Sequence, residues 1–373
     1  MAERIISADS HFEIPMERVA EYLPRKYKEA YDDLRATLAE QMRAALGDPS
    51  AQPPLRNKPA GARQAPEVPR PAGRAYPAEG RPGASDPHER LKDMDTDHVD
   101  AEVLYLNFGD VDLFYNLDDE GASAGFHAFT SAALDVASVN PDRLVPVFPI
   151  AVHDVEAAVK EVQRIANEGG RAVMLPAYPT DFSLAPYWDE IYDPLFSTLE
   201  DLEMPLSQHV NVRKSAREIG MWDPTPTRAI MQSIPPIFMA ELLGSWVLTG
   251  IFDRHPRLKV VLVEAGLGWI PYYLQRLDKM RDRHGWEARG MRLPKLPSEY
   301  WYANMAATFE EDVVGMKLLD ELGVDNVMWA TDYPHPDSTW PVSQEVITEH
   351  FSGVEPGVMR RIVGGNAARL YRL

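Results

Sequence analysis

Arg4-Ile5-Ile6-Ser7-Ala8-Asp9-Ser10-His11 reads as a buried strand that ends in two metal-type ligands. Ile5, Ile6 and Ala8 make a small apolar run, and Asp9 and His11 follow it two residues apart. Side chains two apart on a strand share a face. A carboxylate and an imidazole therefore project side by side at the strand's C-terminal end, which is half of a metal site. Asp-x-His alone is a short pattern that chance also produces, and Asp9 alone could equally cap a following helix. The rest of the chain decides between these readings.

Outward from this strand, Pro15 to about Leu46 reads as helical and polar. Residues 47–87 then change character: Gln52-Pro53-Pro54, Val68-Pro69-Arg70-Pro71 and Gly80-Arg81-Pro82-Gly83 crowd them with proline. Such a stretch can build neither helix nor sheet and has little to bury. It is expected to be a long, disordered, weakly basic insertion, with a substrate lid as the alternative. Regular structure resumes with a short helix at Pro87–Asp95, and apolar strand-like runs then alternate with helical spacing. The runs are Glu102–Leu106, Leu144–Phe148, Ala172–Leu175, Pro205–His209, Leu258–Glu264, a weak one near Tyr302–Ala306, and Val327–Thr331. With the first, that makes eight strands, most of them apolar on both faces and each followed by helix. Strands buried on both sides and joined by helices imply a parallel sheet. Eight such units predict an α/β fold, one (β/α)8 TIM barrel spanning residues 1–373, with the proline-rich insertion after the first strand and helix. An open doubly wound sheet is the alternative, weakened by the lack of a glycine-rich phosphate loop after the first strand.

Composition narrows the function. At 373 residues the chain can bury a large core, and 45% hydrophobic with 25% charged residues is ordinary for a soluble globular protein. A net charge of -19 without a basic stripe argues against nucleic acid as a partner. No apolar run approaches the roughly 20 residues needed to span a membrane. The start, Met1-Ala2-Glu3-Arg4, lacks the apolar stretch of a signal peptide, so a cytoplasmic location is expected. With no cysteine, disulfides, thiolate nucleophiles and thiolate-held metals are excluded. Any metal must be held by His, Asp or Glu.

In a (β/α)8 barrel the active site lies at the C-terminal ends of the strands. Strand one ends in Asp9 and His11, strand five in His209, strand six in Glu264, and Asp332 follows strand eight at once. Taken singly, His209 could be a hydrogen-bonded core histidine, Glu264 a helix N-terminal carboxylate and Asp332 the start of a turn. Their common placement is the argument, because one barrel mouth brings all five together.

These residues carry a resemblance. Ala8-Asp9-Ser10-His11, the strand Pro205–His209, Thr331-Asp332-Tyr333-Pro334-His335, Gly365-Asn366-Ala367-Ala368-Arg369-Leu370-Tyr371 and Glu89-Arg90-Leu91-Lys92-Asp93-Met94-Asp95 resemble the amidohydrolase-related family that includes aminocarboxymuconate-semialdehyde decarboxylase and γ-resorcylate decarboxylase. The resemblance covers nearly the whole chain outside the insertion. It implies that Asp9, His11, His209 and Asp332 hold one divalent metal, and that the protein forms a homodimer. Two departures matter. The decarboxylase members are expected to carry a histidine acting as acid or base at the end of strand six, where this chain has Glu264. They also often carry two histidines, or a glutamate and a histidine, on strand one, where this chain has Asp9 and His11. The set is rich in carboxylate, which suits Mn or Fe beside Zn. If Glu264 is a ligand, a second metal becomes feasible, with His335 as the extra imidazole; His335 reads equally well as a surface turn residue between two prolines.

Three reactions fit these residues. The first expectation is a metal-dependent hydrolase acting on a small carbonyl or aromatic substrate, in which a divalent ion activates water. There Asp332 takes the water's proton, and Glu264 or His335 is the other acid or base. The second is a non-oxidative decarboxylase of an aromatic or unsaturated acid. The third is a non-haem iron monooxygenase, with His11, His209 and Asp332 as a two-histidine, one-carboxylate set and Asp9 with Glu264 bridging a second iron. Tyr178, Trp222, Trp269, Tyr333 and Trp340, in loops after strands, are expected to line a cavity above the metal, or else to pack between loops. Arg213 and Lys214 would receive an anionic small-molecule substrate, and the segment from Ser207 to Pro235 would cover it. Gly266 and Gly268 suit a close backbone approach.

Overall fold

Eight strands pair in parallel and in chain order: β1 (Ile6–Phe12), β2 (Ala101–Leu106), β3 (Leu144–Pro149), β4 (Ala172–Met174), β5 (Leu206–His209), β6 (Val260–Val263), β7 (Met305–Phe309) and β8 (Val327–Trp329). The structure, a computed structural model, describes residues 4–45, 78, 80–106, 111, 113–211, 233–284 and 293–373. Most of the insertion, Trp222, Arg213, Lys214 and most of the expected cover after β5 lie outside the described residues. Helices connect successive strands, among them Asp119–Val139, Val155–Asn167, Pro235–Leu248 and Ile270–His284, so the architecture is a (β/α)8 TIM barrel. No helix among the described residues is long and apolar enough to cross a membrane.

Strand parity builds two cores. Leu206, Val260, Leu262, Phe309 and Trp329 face outward into the layer between sheet and helices. Ile6, Ala8, Val103, Tyr105, Val147, Met174, Val261, Val263 and Met328 fill the barrel interior, and Ala367 and Tyr371 of the C-terminal helix plug its base. On β5 the alternation is unbroken: Gln208 points out to the Trp246 indole at 2.7 Å, while Ser207 points in to the Tyr105 hydroxyl at 2.9 Å.

No ladder joins β8 to β1 among the described residues; pairing runs only from β1 to β8 in order. Two backbone bonds close the seam instead, Asp332 N–H to Asp9 O at 3.0 Å and His11 N–H to Tyr333 O at 2.6 Å. A buried knot of hydroxyls supports them. Ser7 Oγ accepts from Thr331 N–H at 2.8 Å and donates to Asp9 O at 2.7 Å, while Ser10 Oγ and Thr331 Oγ1 meet at 2.9 Å.

Several elements differ from the sequence expectation. The helical stretch after β1 breaks into Met16–Tyr22 and Arg25–Ala45, because Pro24 has no N–H to continue the first helix. The weak strand near Tyr302–Ala306 is shifted: the helix Pro297–Asn304 occupies its first half, and β7 begins at Met305. That helix starts at a proline, Glu299 Oε2 accepts the Leu296 N–H at 2.6 Å, and Tyr300 and Trp301 are buried, so local helix chemistry outweighs the aromatic composition. The chain also returns to the fold before Pro87. Pro82–Ala84 form a short 3-10 turn, Ala84 O accepts from Glu13 N–H at 2.8 Å, and Gly83 is buried. In the C-terminal helical region one π turn (Arg361–Gly365) packs on the start of β1, where a Cβ at Gly364 would stand 2.1 Å from Arg4 O.

Candidate active site

Asp9 and His11 both reach the barrel mouth, but simple alternation does not bring them there. Ile6 and Ala8 already face the interior, so Asp9 would face outward on a regular strand. The β1–β2 register shifts between Ser7 and Ser10, and this bulge re-aims the strand end. On β6 the interior residues are Val261 and Val263, so Glu264 too falls on the wrong parity. Its own backbone corrects this with φ at 54°, a left-handed conformation that residues with a Cβ rarely adopt. Asp332, after β8, sits at φ 52°. Two non-glycine residues in this region at one barrel mouth mark a strained site.

Two overlapping groups of donor atoms result, Asp9, His11, His209 and Glu264 in one and His11, Glu264, Asp332 and His335 in the other, with the atoms of each group within 4.8 Å of one another. His209 Nε2 lies 3.5 Å from Asp9 Oδ1 and 3.7 Å from Glu264 Oε2. His11 Nε2 lies 3.2 Å from Asp332 Oδ1 and 3.8 Å from Asp9 Oδ1, and His335 Nδ1 lies 3.0 Å from Asp332 Oδ1. Adjacent ligands each about 2.1 Å from one ion stand about 3.0 to 3.4 Å apart; the His11–Asp332 spacing of 3.2 Å lies in that range, and the His209–Asp9 and His11–Asp9 spacings of 3.5 and 3.8 Å are a few tenths wider, close enough for one divalent cation to draw the four together. Asp9 supplies the second test. It is fully buried, and among the described residues neither carboxylate oxygen meets a hydrogen-bond donor at good geometry. A buried carboxylate left so is costly unless a cation faces it.

The protonation pattern of the metal-free protein shows the same crowding. Burial opposes charge on His209, but Asp9 and Glu264 outweigh it and raise the imidazole to about 9. Burial, with repulsion from Asp332 and Asp9, raises Glu264 to about 8. Burial pushes Asp332 up, yet hydrogen bonds from His11 and His335 hold it well below the usual carboxylate range. His11 is lowered, chiefly by burial.

The structure brings together Asp9, His11, His209, Glu264, Asp332 and His335. Sequence reasoning missed Glu310. Thr308 of β7 faces inward, with its hydroxyl accepting the Glu264 N–H at 2.8 Å, so Glu310 two residues later faces inward as well. Its Oε1 meets neither solvent nor a hydrogen-bond partner among the described residues. Burial and then repulsion from Asp332, Asp9 and Glu264 raise its carboxyl well above the ordinary value. The signal was present in the sequence: Glu310 follows the run Met305–Phe309, and a strand ending at Ala306 hid it. Two aromatic residues expected at the cavity pack elsewhere. Tyr333 is 1% exposed with its hydroxyl on Asp93, and Trp340 donates its indole N–H to Asp93 O at 3.0 Å. Trp269 donates to Ala265 O at 2.8 Å. Tyr178 lines a cleft with Tyr187, Trp188 and Trp246, behind β5 rather than over the mouth. At Gly268 the close approach is real, since a Cβ there would meet Val314 at 2.9 Å.

The chain has informative relatives. Gamma-resorcylate decarboxylase of Rhizobium sp. is 27% identical over 258 residues, covering 66% of this chain and 76% of that protein. The crystal structure of 5-carboxyvanillate decarboxylase from Sphingomonas paucimobilis superposes with a TM-score of 0.68 at 26% identity over 100% of both chains. The 5-carboxyvanillate decarboxylase of Novosphingobium aromaticivorans, complexed with manganese and 4-hydroxy-3-methoxy-5-nitrobenzoic acid, has the same fold, with a TM-score of 0.72 at 21% identity over 100% of this chain and 97% of that one. The family model described as amidohydrolase matches residues 8–373. By that match, which spans nearly its whole length, the chain belongs to the amidohydrolase family.

Proposed function

We propose that the protein is a metal-dependent, non-oxidative decarboxylase of a hydroxylated aromatic carboxylic acid. The observation that carries this reading is how exposure divides the site. The side chains of Asp9, His11, His209 and Asp332 are 0%, 11%, 6% and 2% exposed, whereas Glu264 and His335 are 29% and 45% exposed. The four buried groups are the ligands, and the two open ones face substrate. Hydrolysis ranked first from the sequence alone; the relatives, named as decarboxylases of hydroxylated aromatic acids, support the lyase instead. Manganese is the first ion to test, because the relative from N. aromaticivorans holds it.

Asp9, His11, His209 and Asp332 would hold a divalent ion, which would supply Lewis-acid polarisation of the substrate. Glu264 is the acid: its side chain is 29% exposed beside the buried quartet, and in the metal-free site burial with repulsion from Asp332 and Asp9 favours its protonated form. It delivers that proton to the ring carbon bearing the carboxylate. The bond to the carboxylate then breaks, its electron pair restores the ring, CO2 leaves, and Glu264 recovers a proton from water. His335, with Nδ1 3.0 Å from Asp332 Oδ1 and its side chain open to solvent, is placed to pass that proton inward. Glu264 thus does the work of the histidine expected at the end of strand six.

The test is CO2 release from gamma-resorcylate and 5-carboxyvanillate by manganese-loaded protein in deuterated water. One deuterium at the vacated ring carbon is expected. Glu264→Gln is expected to keep the metal and lose about 10²- to 10⁴-fold in kcat, as removal of an acid does. A loaded enzyme that cleaves esters or amides and releases no CO2 would overturn the reading. A second reading, an oxygenase with two irons, rests on the two overlapping donor groups that share His11 and Glu264. Two irons per chain by elemental analysis, with substrate-dependent oxygen consumption, would put it first. The homodimer expected from the resemblance belongs to the same proposal and is read by sedimentation.

A further inference from the structure

The left-handed backbone of Asp332 needs something to hold it, since such a conformation persists only where its surroundings over-determine it. The next residue, Tyr333, is held from several sides. Its carbonyl accepts the His11 N–H at 2.6 Å and an Arg90 Nη2 at 3.4 Å, its hydroxyl donates to Asp93 Oδ2 at 2.5 Å, and its ring lies 4.1 Å from the Arg90 guanidinium. Arg90 itself is fully buried. Its Nε donates to Glu102 Oε2 at 2.5 Å, and its Nη1 donates to His11 O at 2.9 Å and Gly83 O at 3.1 Å. One planar fork therefore grips the main-chain carbonyls of His11 on β1 and Tyr333 after β8, across the seam that lacks a ladder. The turn that ends the proline-rich stretch presses on the same group: a Cβ at Gly83 would stand 2.3 Å from Asp93 Oδ2 and 3.1 Å from the Tyr333 hydroxyl.

We propose that Arg90, Asp93 and Tyr333 form a clamp that sets the distance between the β1 ligands, Asp9 and His11, and the β8 ligand, Asp332, and so tunes the affinity of the metal site. None of the three touches substrate; they are positioning residues, and the inference rests on the metal reading above. A purely structural role for the clamp would lower stability and leave the ion's affinity alone. A positioning role changes affinity in a folded protein, because partners behind the ligands typically contribute about 10- to 100-fold.

Tyr333→Phe removes only the hydroxyl and keeps the ring under Arg90. Arg90→Lys keeps the charge opposite Glu102 and loses the fork. The experiment is calorimetric titration of Mn²⁺ into metal-free wild type and each variant, with near-ultraviolet circular dichroism to certify the fold. The expected result is a Kd raised about tenfold in Tyr333→Phe and about 100-fold in Arg90→Lys. A folded Tyr333→Phe with a Kd within about twofold of wild type, whatever its melting temperature, overturns the clamp. If Arg90→Lys does not fold, Tyr333→Phe alone decides. Wild type that takes up no ion removes the metal reading and the clamp with it.

Discussion

Stripping the metal should make the protein less stable as pH rises, and restoring it should cancel that loss. In the metal-free site, burial raises Glu264 from 4.5 to about 8, and Asp9 with Glu264 raises His209 from 6.5 to about 9 against the effect of burial. Both groups hold their protons more tightly folded than unfolded. The stability they contribute is therefore complete at low pH; it is lost for Glu264 between pH 4.5 and about 8, and for His209 between pH 6.5 and about 9. Asp332 has the opposite sign: its contribution is present above 3.8 and lost only as pH falls below, outside this window. At about 1.4 kcal/mol per pH decade, the Glu264 displacement alone corresponds to about 5 kcal/mol. Its side chain is 29% exposed, and it shares one interaction with His209 across 3.7 Å. The working figure for the pair is accordingly about 3 kcal/mol. In a chain of this size that is about 5 °C in melting temperature between pH 5.5 and 9. A divalent ion at the quartet takes the place of the His209 proton, and its binding strengthens as that ligand deprotonates. At about 100 times its Kd it restores about 2.7 kcal/mol. Thermal melts across this range, with chelator and with excess Mn²⁺, read both slopes. A metal-free melting temperature that is flat or rises toward pH 9, or equal slopes with and without ion, would refute the reasoning.

Two further outcomes follow from the same geometry. His209→Ala removes a ligand from the buried quartet, so elemental analysis after dialysis should find less than a tenth of the wild-type metal; near-stoichiometric metal would move His209 out of the ligand set. Ser7→Ala strips the acceptor from the Thr331 N–H and the donor from Asp9 O at the seam without touching the ligands. A loss of about 1 to 3 kcal/mol in urea unfolding is expected, as for a buried group left unsatisfied, and a loss below about 0.5 kcal/mol would show that the seam closes without the hydroxyl knot.

The barrel was legible because its strands are buried on both faces. Runs such as Leu144–Phe148 and Val260–Val263 have no use for polar residues, so their ends stand out as the first ionisable side chains after each apolar run. That is why Asp9, His11, His209, Glu264 and Asp332 stand out in the sequence as candidate ligands. Where a strand is faint its end is not marked: Tyr302–Asn304 belong to a helix with the buried Trp301, β7 starts only at Met305, and Glu310 therefore does not stand out as a strand-end residue. For Tyr333 and Trp340 the sequence left a cavity wall and a packed loop equally open, and the Asp93 hydrogen bonds select the packed loop.

Residue type and spacing along the chain determined the eight-unit alternation and the identity of the donors, since both are consequences of local burial and period. Tertiary structure alone decided which way those donors point. The bulge in β1, the left-handed turns at Glu264 and Asp332, and the Arg90 fork across the seam each depend on neighbours far away in sequence. Their cost is local and their support is distant, so no reading of a single segment contains them.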